Sequence, residues 1–188
     1  FNNQTFFISA LLLSLILATP TKGAESAHEH GVGALFIAVE GHDVEIELTV
    51  PGSDVVGFEH LPSSESEHQA VIAGAKTLRD VNGIVNLSSE AKCQVEDVEV
   101  TSGLMEDNKD KHGDAHNHEA RDNDDHKEGH SEFVAHYHFH CEDPKKLTSV
   151  TLGFFRAFPS AHELKAKWIT PGGQGAVELT AKSPSLKF

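Results

Sequence analysis

Three histidines alternate along one strand-like segment of the chain, and imidazole is the commonest metal ligand among protein side chains. In Phe133–Cys141 (FVAHYHFHC), His136, His138 and His140 fall on one face, because successive side chains of a strand point to opposite sides. Two imidazoles at positions i and i+2 can converge on one tetrahedral zinc ion, and a third can reach a second ion. The alternative is an ordinary solvent-facing side of a strand. Three histidines in alternation favour the metal-binding interpretation.

Further histidines lie elsewhere in the chain. His28 and His30 form an H-x-H pair in which both imidazoles can face one side of an extended backbone, so a ligand role and an ordinary surface role are both open. His60 follows Glu59 in a turn, where a single histidine is more often structural. The remaining isolated histidines are expected to be ordinary surface residues: His42, His68 and His162.

The segment from Gly103 to Ser131 differs abruptly in composition from its surroundings. It holds five histidines and nine acidic residues and has hardly any apolar side chain beyond its first positions. Such a segment cannot bury enough surface to offset its ordering entropy, so it is predicted to be a disordered loop inserted in the domain. Its histidines suit a weak, exchanging metal collector better than one ordered site: His112, His116, His118 and His126.

Charge and composition exclude several classes of function. The 188 residues contain 29 acidic and 15 basic side chains, a net charge of −14. A nucleic-acid backbone or an anionic membrane surface requires a basic footprint, so neither is an expected partner, whereas cations are. The chain has 14 histidines but a single methionine, which excludes a thioether cluster of the kind that selects Cu(I).

The first residues predict export. Phe6–Ala18 (FFISALLLSLILA) is an almost wholly apolar run with the length of a signal-peptide core and is too short to span a bilayer comfortably. Residues 1–24 are therefore predicted to be a signal peptide and residues 25–188 one mature domain in the periplasm, with no stable membrane insertion. The alternative is a buried N-terminal helix.

Export also bears on the two cysteines, Cys93 and Cys141. An oxidising compartment permits disulfides, and the C-x-x-C spacing of a cysteine zinc site is absent. One structural bridge is favoured over two free thiols.

The elements that would position these residues are mostly strands. Ala34–Val39 and the alternating segment Val44–Val50 flank a four-residue turn and predict a β-hairpin. Ser64-x-x-Glu67 is a capping box that opens a helix to about Asp80, ended by Asn82-Gly83. Other strands are predicted at 92–101, 133–141, 150–154, 164–168 and 176–180. The expected fold is α+β, a mainly antiparallel β-sheet domain with one main helix and the inserted loop.

Several motifs resemble one known family. They are H-E-H-G at His28–Gly31, V-G-F-E-H at Val56–His60, H-S-E-F…Y-x-F-x-C across His130–Cys141, and F-F-x-x-F-P and G-G-Q-G-A nearer the end. In this order they resemble the zinc-regulated periplasmic family known as ZrgA-type. The resemblance covers nearly the whole mature chain. It implies a periplasmic zinc-binding protein that works with an ABC-type zinc uptake system, and a variable histidine-rich linker where Gly103–Ser131 stands.

The resemblance also implies particular site residues. Its motif positions in this chain are His28, His30, Glu59, His60 and His130, which makes His60 and His130 ligand candidates. Cys93 and Cys141 fit the paired cysteines of the family. Histidines at all three of 136, 138 and 140 are not expected from the family pattern, so they extend the site or are particular to this chain.

The function expected from these observations is capture of Zn²⁺ and its transfer to a membrane transporter, without catalysis. Two rivals remain open. One is a periplasmic buffer of zinc, nickel or copper that has no transporter partner. The other is a zinc hydrolase with a base such as Glu59 or Glu132, although no H-E-x-x-H or nucleophile-elbow motif occurs.

Overall fold

The computed structural model describes residues 31–105 and 131–188. Three single-turn 3₁₀ helices, at Ser89–Ala91, Gly103–Met105 and Pro144–Lys146, join the main elements. The strands and α-helices in chain order are β1 (Val32–Glu40), β2 (Asp43–Pro51), α1 (Gly52–Val56), α2 (Glu65–Arg79), α3 (Val81–Ile84), β3 (Val85–Leu87), β4 (Cys93–Ser102), β5 (Glu132–Cys141), β6 (Ser149–Leu152), α4 (Phe154–Ala157), β7 (Glu163–Thr170), β8 (Gly173–Thr180) and β9 (Ser185–Lys187).

The predicted hairpin is confirmed as β1 and β2, which pair antiparallel from Ala34–Thr49 to Glu40–Asp43. Gly41 takes a positive φ of 60° in the turn, a conformation that glycine adopts without steric cost. On one side of the hairpin every second side chain is buried, and on the other side the acidic residues of β2 are exposed. The period-two pattern therefore separates a core face from a solvent face.

Six strands form the main sheet in the order β4-β5-β2-β1-β7-β8, and β3-β6-β9 form a smaller one. All pairs are antiparallel except β1 with β7, which run parallel. The predicted α+β fold with a mainly antiparallel sheet is thus confirmed. The parallel pair, β3 and β9 were not predicted.

The predicted long helix is confirmed as α2. The Ser64 hydroxyl accepts the amide N–H of Glu67, and the Glu67 carboxylate accepts that of Ser64, so the capping box forms as the motif requires. Val71, Ala75 and Leu78 are buried, which is the stripe that the helical period predicts. The helix ends at Arg79, next to the predicted end at about Asp80, and Asn82-Gly83 lie in the short helix α3.

Helix α2 covers one side of the main sheet. The Tyr137 hydroxyl donates a 2.8 Å hydrogen bond to the carbonyl of Leu78 near the helix end. Burial raises the pKa of Tyr137 far above its usual range, so the phenol stays neutral. Opposite this covered side is the outer face of the sheet, on which His136, His138 and His140 lie.

Two predicted boundaries were wrong. The strand expected over 150–154 ends at Leu152, and Phe154 instead begins α4. Phe154 and Phe158 pack together there, with ring centroids 5.3 Å apart, because one helical turn brings both aromatic rings to the core. In the turn expected at 170–175, β8 already begins at Gly173.

The limits of the inserted loop also differ from the prediction. Gly103–Met105 forms a 3₁₀ turn with Leu104 buried in the core, and Ser131 is hydrogen-bonded to Gly52. Both ends of the predicted loop therefore belong to the folded domain.

The disulfide prediction is confirmed. Cys93 and Cys141 face each other as partners of the antiparallel pair β4–β5 and are bonded. The bridge fixes the start of β4 to the end of β5, at the end of the sheet where the β1–β2 turn lies. We call this the hairpin end.

Within the described ranges, no helix has the length and hydropathy needed to cross a membrane. The predicted signal peptide, residues 1–24, lies outside those ranges.

Candidate metal centre

The three histidines of β5 lie on the outer face of the sheet. His136 and His140 are exposed and His138 is partly covered, whereas their neighbours in the strand are buried. The alternation predicted from the sequence is confirmed. The imidazoles are thus presented to solvent by a strand whose other face anchors it in the core.

Carboxylates line both sides of these histidines. On β2, the residues paired with His136, His138 and His140 are Glu47, Glu45 and Asp43. His136 Nδ1 lies 3.7 Å from Glu47 Oε2, and His138 Nε2 lies 3.6 Å from Glu45 Oε1. The row of imidazoles therefore lies in a locally negative field that attracts cations.

The strand on the other side contributes further acidic residues. Glu99 and Asp97 of β4 pair with His136 and His138. The register shifts between Val95 and Asp97, which inserts Glu96, and its carboxylate lies 3.8 Å from His138 Nδ1. A β-bulge redirects a side chain in this way. No local sequence signal predicted it.

His42 is not the isolated residue that the sequence suggested. Its ring stacks on that of His140, with centroids 5.4 Å apart and planes 17° from parallel. Its Nδ1 donates a 2.7 Å hydrogen bond to the carbonyl of Cys141. The expectation of an ordinary surface histidine without a histidine partner is therefore wrong for His42, because the fold places the hairpin turn beside the end of β5.

The second group of candidate ligands lies at the opposite end of the sheet, where β2 ends. Glu59 accepts a 2.8 Å hydrogen bond from the Ser53 hydroxyl. His60 stacks on Phe58, with ring centroids 4.9 Å apart, and its Nε2 lies 3.9 Å from Glu67 Oε1. These contacts hold the turn against the starts of α1 and α2.

Hydrogen bonds lower the pKa of the Glu67 carboxyl below its usual range, first through the backbone N–H and then through the hydroxyl of Ser63. Glu67 therefore stays ionised at neutral pH and places a negative charge beside the His60 ring. The His60 Nδ1 donates to the carbonyl of Leu61 at 3.0 Å, which places the lone pair of a neutral ring on Nε2.

Chain topology brings two other segments to this end. The amide of Gly52 donates a 2.7 Å hydrogen bond to the carbonyl of Ser131, and a side chain at position 52 would collide with the carbonyl oxygens of Phe58 and Ser131. The carbonyl of Gly31 accepts the amides of His162 and Glu163 where β1 and β7 begin. We call this region the Gly52 end.

The residues that precede these two anchors in sequence include three predicted ligands. His28 and His30 come just before Gly31, and His130 comes just before Ser131. All three lie outside the described residues, as do His112, His116, His118 and His126. The described residues that follow them, Gly31 and Ser131, both lie at the Gly52 end.

The two groups of histidines are well separated. Residues rise about 3.3 Å each along a strand, so His136 lies about 17 Å and His140 about 30 Å along β5 from Ser131. Glu59 and His60 thus lie near one end of β5, and the outer-face histidines extend toward the other. Among residues 31–105 and 131–188, no three His, Cys, Asp or Glu side chains are already gathered around one point where an ion could sit.

One acidic residue at the Gly52 end was missed by the sequence analysis. Asp54 of α1 is 7% exposed, the one charged side chain that the described fold buries. Nothing in its local sequence, G-S-D-V-V, distinguishes it from a solvent-exposed aspartate. Its burial follows from α1 lying between β2 and α2.

An apolar cavity of about 790 Å³ lies near the hairpin end, beside Trp168, Phe188, Leu147 and Gly41. The residues that line it in the described part of the chain include no histidine and no carboxylate. None of the candidate metal ligands in the described part of the chain lines this cavity.

Comparison with known proteins agrees with these features. The family model described as ZrgA family zinc uptake protein matches residues 27–188. No curated protein matches the chain.

Proposed function

Because the chain belongs to the ZrgA family of zinc uptake proteins, we propose that it captures Zn²⁺ in the periplasm and supplies it to an ABC-type uptake system in the membrane. Neutral imidazoles and carboxylates are common ligands of protein-bound Zn²⁺. The net charge of −14 favours a cationic cargo over anionic partners.

The tight zinc site is proposed at the Gly52 end. Its candidate ligands are Glu59 and His60, together with His28, His30 and His130, and four of these would complete a tetrahedral site. The observation that carries this proposal is the hydrogen bond between Gly52 and Ser131, which ties the residue after His130 to the turn that leads to Glu59 and His60. Three segments distant in sequence start from one end of the sheet, as a tetrahedral site built from several segments requires.

Glu67 supports the same location. It is held ionised beside His60, and its negative charge favours a divalent cation at this end. Asp54 is a buried acidic residue of α1, the helix that begins at Gly52.

The outer face is proposed as a weaker zinc surface. His136 and His140 are exposed and His138 is partly exposed, and each pairs across the sheet with an acidic residue of β2. Ions held there exchange readily with solvent, because few protein ligands surround each of them.

The inserted segment is proposed as a collector that raises the local zinc concentration. Deleting residues 106–129 retains the buried Leu104 and the Gly52–Ser131 hydrogen bond. This deletion is expected to lower the number of zinc ions bound per chain while the tightest dissociation constant stays unchanged. Equilibrium dialysis measures both quantities, and loss of all tight binding would contradict this division of roles.

Two other functions are alternatives to zinc uptake: a zinc hydrolase and a metal buffer without a transporter partner. A hydrolase needs a metal-bound water in a concave pocket, and the 790 Å³ cavity is lined by neither histidine nor carboxylate within the described ranges. Non-catalytic binding is therefore the proposed role. A buffer without a transporter partner would bind zinc equally well, so binding data alone do not separate it from an uptake protein.

Measuring zinc uptake by cells distinguishes an uptake protein from a buffer. Cells lacking the protein, grown under zinc limitation, should accumulate zinc more slowly, and the exported wild-type chain should restore the rate. The variant H60A should restore it poorly, and the matched control H68A should restore it fully, because His68 is an exposed histidine of α2 that is not among the proposed ligands. Unchanged zinc uptake in cells lacking the protein would contradict a role in uptake and would favour the role of a metal buffer.

A further inference from the structure

The hairpin end of the outer face holds two histidines that are oriented in the same way. His42 Nδ1 donates to the carbonyl of Cys141 at 2.7 Å, and His140 Nδ1 donates to Asp43 Oδ1 at 3.1 Å. Since carbonyl and carboxylate oxygens only accept, each neutral ring carries its proton on Nδ1. The lone pair of each ring is therefore on Nε2.

This arrangement is the one that metal-binding imidazoles have in proteins. A ligating histidine usually donates its other ring N–H to a carboxylate or a backbone carbonyl, which fixes the tautomer and makes the free nitrogen a better ligand. His42 has the carbonyl version of this contact and His140 has the carboxylate version. Their rings are stacked, with centroids 5.4 Å apart.

From this geometry we propose that His42 and His140 form a two-histidine site for a divalent transition metal, completed by water. Zn²⁺ binds imidazole nitrogen at about 2.1 Å, so two ligands of one tetrahedral ion lie about 3.4 Å apart. The nearly parallel rings reach this separation by tilting toward each other at Nε2. Both side chains are exposed and have room for that motion.

The backbone under the pair is fixed from several sides. The amide of Cys141 donates to the carbonyl of His42 at 2.8 Å, so these two residues are joined by reciprocal hydrogen bonds. Cys141 is also bonded to Cys93 on the neighbouring strand. Binding a metal therefore requires reorientation of two side chains but no ordering of backbone, which lowers the entropic cost of binding.

The charges around the pair suit a cation. Asp43 is the first residue of β2, the strand beside β5, and its Oδ1 lies 3.1 Å from His140 Nδ1 and 3.8 Å from His138 Nε2. Gln94 is the neutral partner of His140 on β4. The pair is thus flanked by a carboxylate on one side and by no positive charge on the paired strands.

This inference rests on the proposed function only in taking zinc as the cargo, and the two can fail separately. The test is a titration of the full chain with Zn²⁺, followed by ¹⁵N–¹H correlation spectra of the imidazole groups. In the metal-free protein, His42 and His140 should both show the Nδ1–H tautomer. On addition of zinc their Nε2 signals should shift together, at the same ratio of metal to protein.

Substitutions then test whether the two rings act as a pair. H42A should weaken the zinc response of His140 by ~10-fold or more, and H140A should do the same to His42. H68A is the matched control, because His68 is also exposed and its Nδ1 also contacts a backbone carbonyl, that of Ser64, but no second imidazole of the described residues stacks on it. Backbone amide spectra show whether each variant retains the fold.

Independent shifts of His42 and His140, or no shift of either while His60 responds, would overturn the pair and leave the Gly52-end site intact. A paired response of His42 and His140 with no response of His60 would support the pair and refute the proposed tight site.

Discussion

The Gly52 end and the outer face hold candidate ligands of the same types but differ in how the chain supplies them. At the Gly52 end, Glu59 and His60 lie in a turn, and other predicted ligands precede the anchored residues Gly31 and Ser131. On the outer face, His136, His138 and His140 all lie on the single strand β5. A single strand presents its side chains in a row, whereas several segments that meet at one end can surround an ion.

The difference suggests why one chain has both a row of histidines on a strand and a group of candidate ligands from several segments. A surface row of imidazoles among carboxylates attracts and exchanges ions, and a site built from several segments holds one. Substitutions confined to one region test this comparison, with the other region as the control.

Removal of the disulfide should have the largest effect on the free energy of unfolding. The accompanying increase in local opening should be greatest at the hairpin end. C93S/C141S opens a cross-link that spans 48 residues, and loss of a native disulfide in a small domain costs about 2–5 kcal/mol of stability. Denaturant unfolding measures the loss. Hydrogen exchange should increase most at the ends of β4 and β5 near the cysteines, and greater exchange at the Gly52 end would contradict this localisation.

The next largest effect should be on zinc affinity at the Gly52 end. H60A removes one proposed ligand of the tight site and should weaken the tightest binding by ~100-fold, about 2.7 kcal/mol. The triple variant H136A/H138A/H140A should leave that affinity unchanged and lower only the number of weak sites. Chelator-competition titration measures both. The reverse result would place the tight site on the outer face.

A smaller effect is expected from loosening the start of α2. S64A removes the hydroxyl that accepts the amide of Glu67, and loss of such a cap costs about 1 kcal/mol. Because Glu67 contacts both Ser63 and His60, zinc affinity at the Gly52 end should also fall a few-fold. S66A is the comparison variant, since Ser66 contacts the Ser64 hydroxyl at 3.0 Å but does not itself cap the helix amide. Thermal unfolding and zinc titration should both change less in S66A than in S64A.

The smallest effect should come from the acidic residues of β2. E45Q/E47Q removes two negative charges beside His138 and His136 but no histidine. Weak zinc binding at low salt should fall a few-fold, and the difference from wild type should shrink as added salt screens the field. The tight site should not change. A salt-independent difference would mean that these carboxylates bind the ion directly.

Local patterns predicted much of this fold. The alternation over Val44–Val50 and Phe133–Cys141 and the capping box at Ser64 each describe contacts within one element, so a single sequence suffices to find them. Their confirmed bounds differ from the prediction by a few residues at most.

The order of strands was not predictable in the same way. The parallel pairing of β1 with β7 joins segments more than 120 residues apart, and no pattern within either strand encodes its partner. Val150 and Leu152 form the predicted strand, but α4 takes the place of its expected end at Phe154, where Phe154 and Phe158 pack in the core.

The same limit applies to the candidate sites. The alternation of His136, His138 and His140 is local and was predicted. The stacking of His42 on His140, the burial of Asp54 and the bulge that turns Glu96 toward His138 depend on contacts between elements. Their chemistry became visible only when the strands were placed side by side.

The most direct test of the tight site is a crystal structure of the zinc-loaded full chain with anomalous scattering at the zinc edge. The strongest anomalous peak should lie at the Gly52 end, within bonding distance of Glu59 and His60, with weaker peaks along the outer face. A strongest peak beside His136, His138 or His140, or peaks only on the histidines of residues 106–130, would contradict the assignment of tight binding to the Gly52 end.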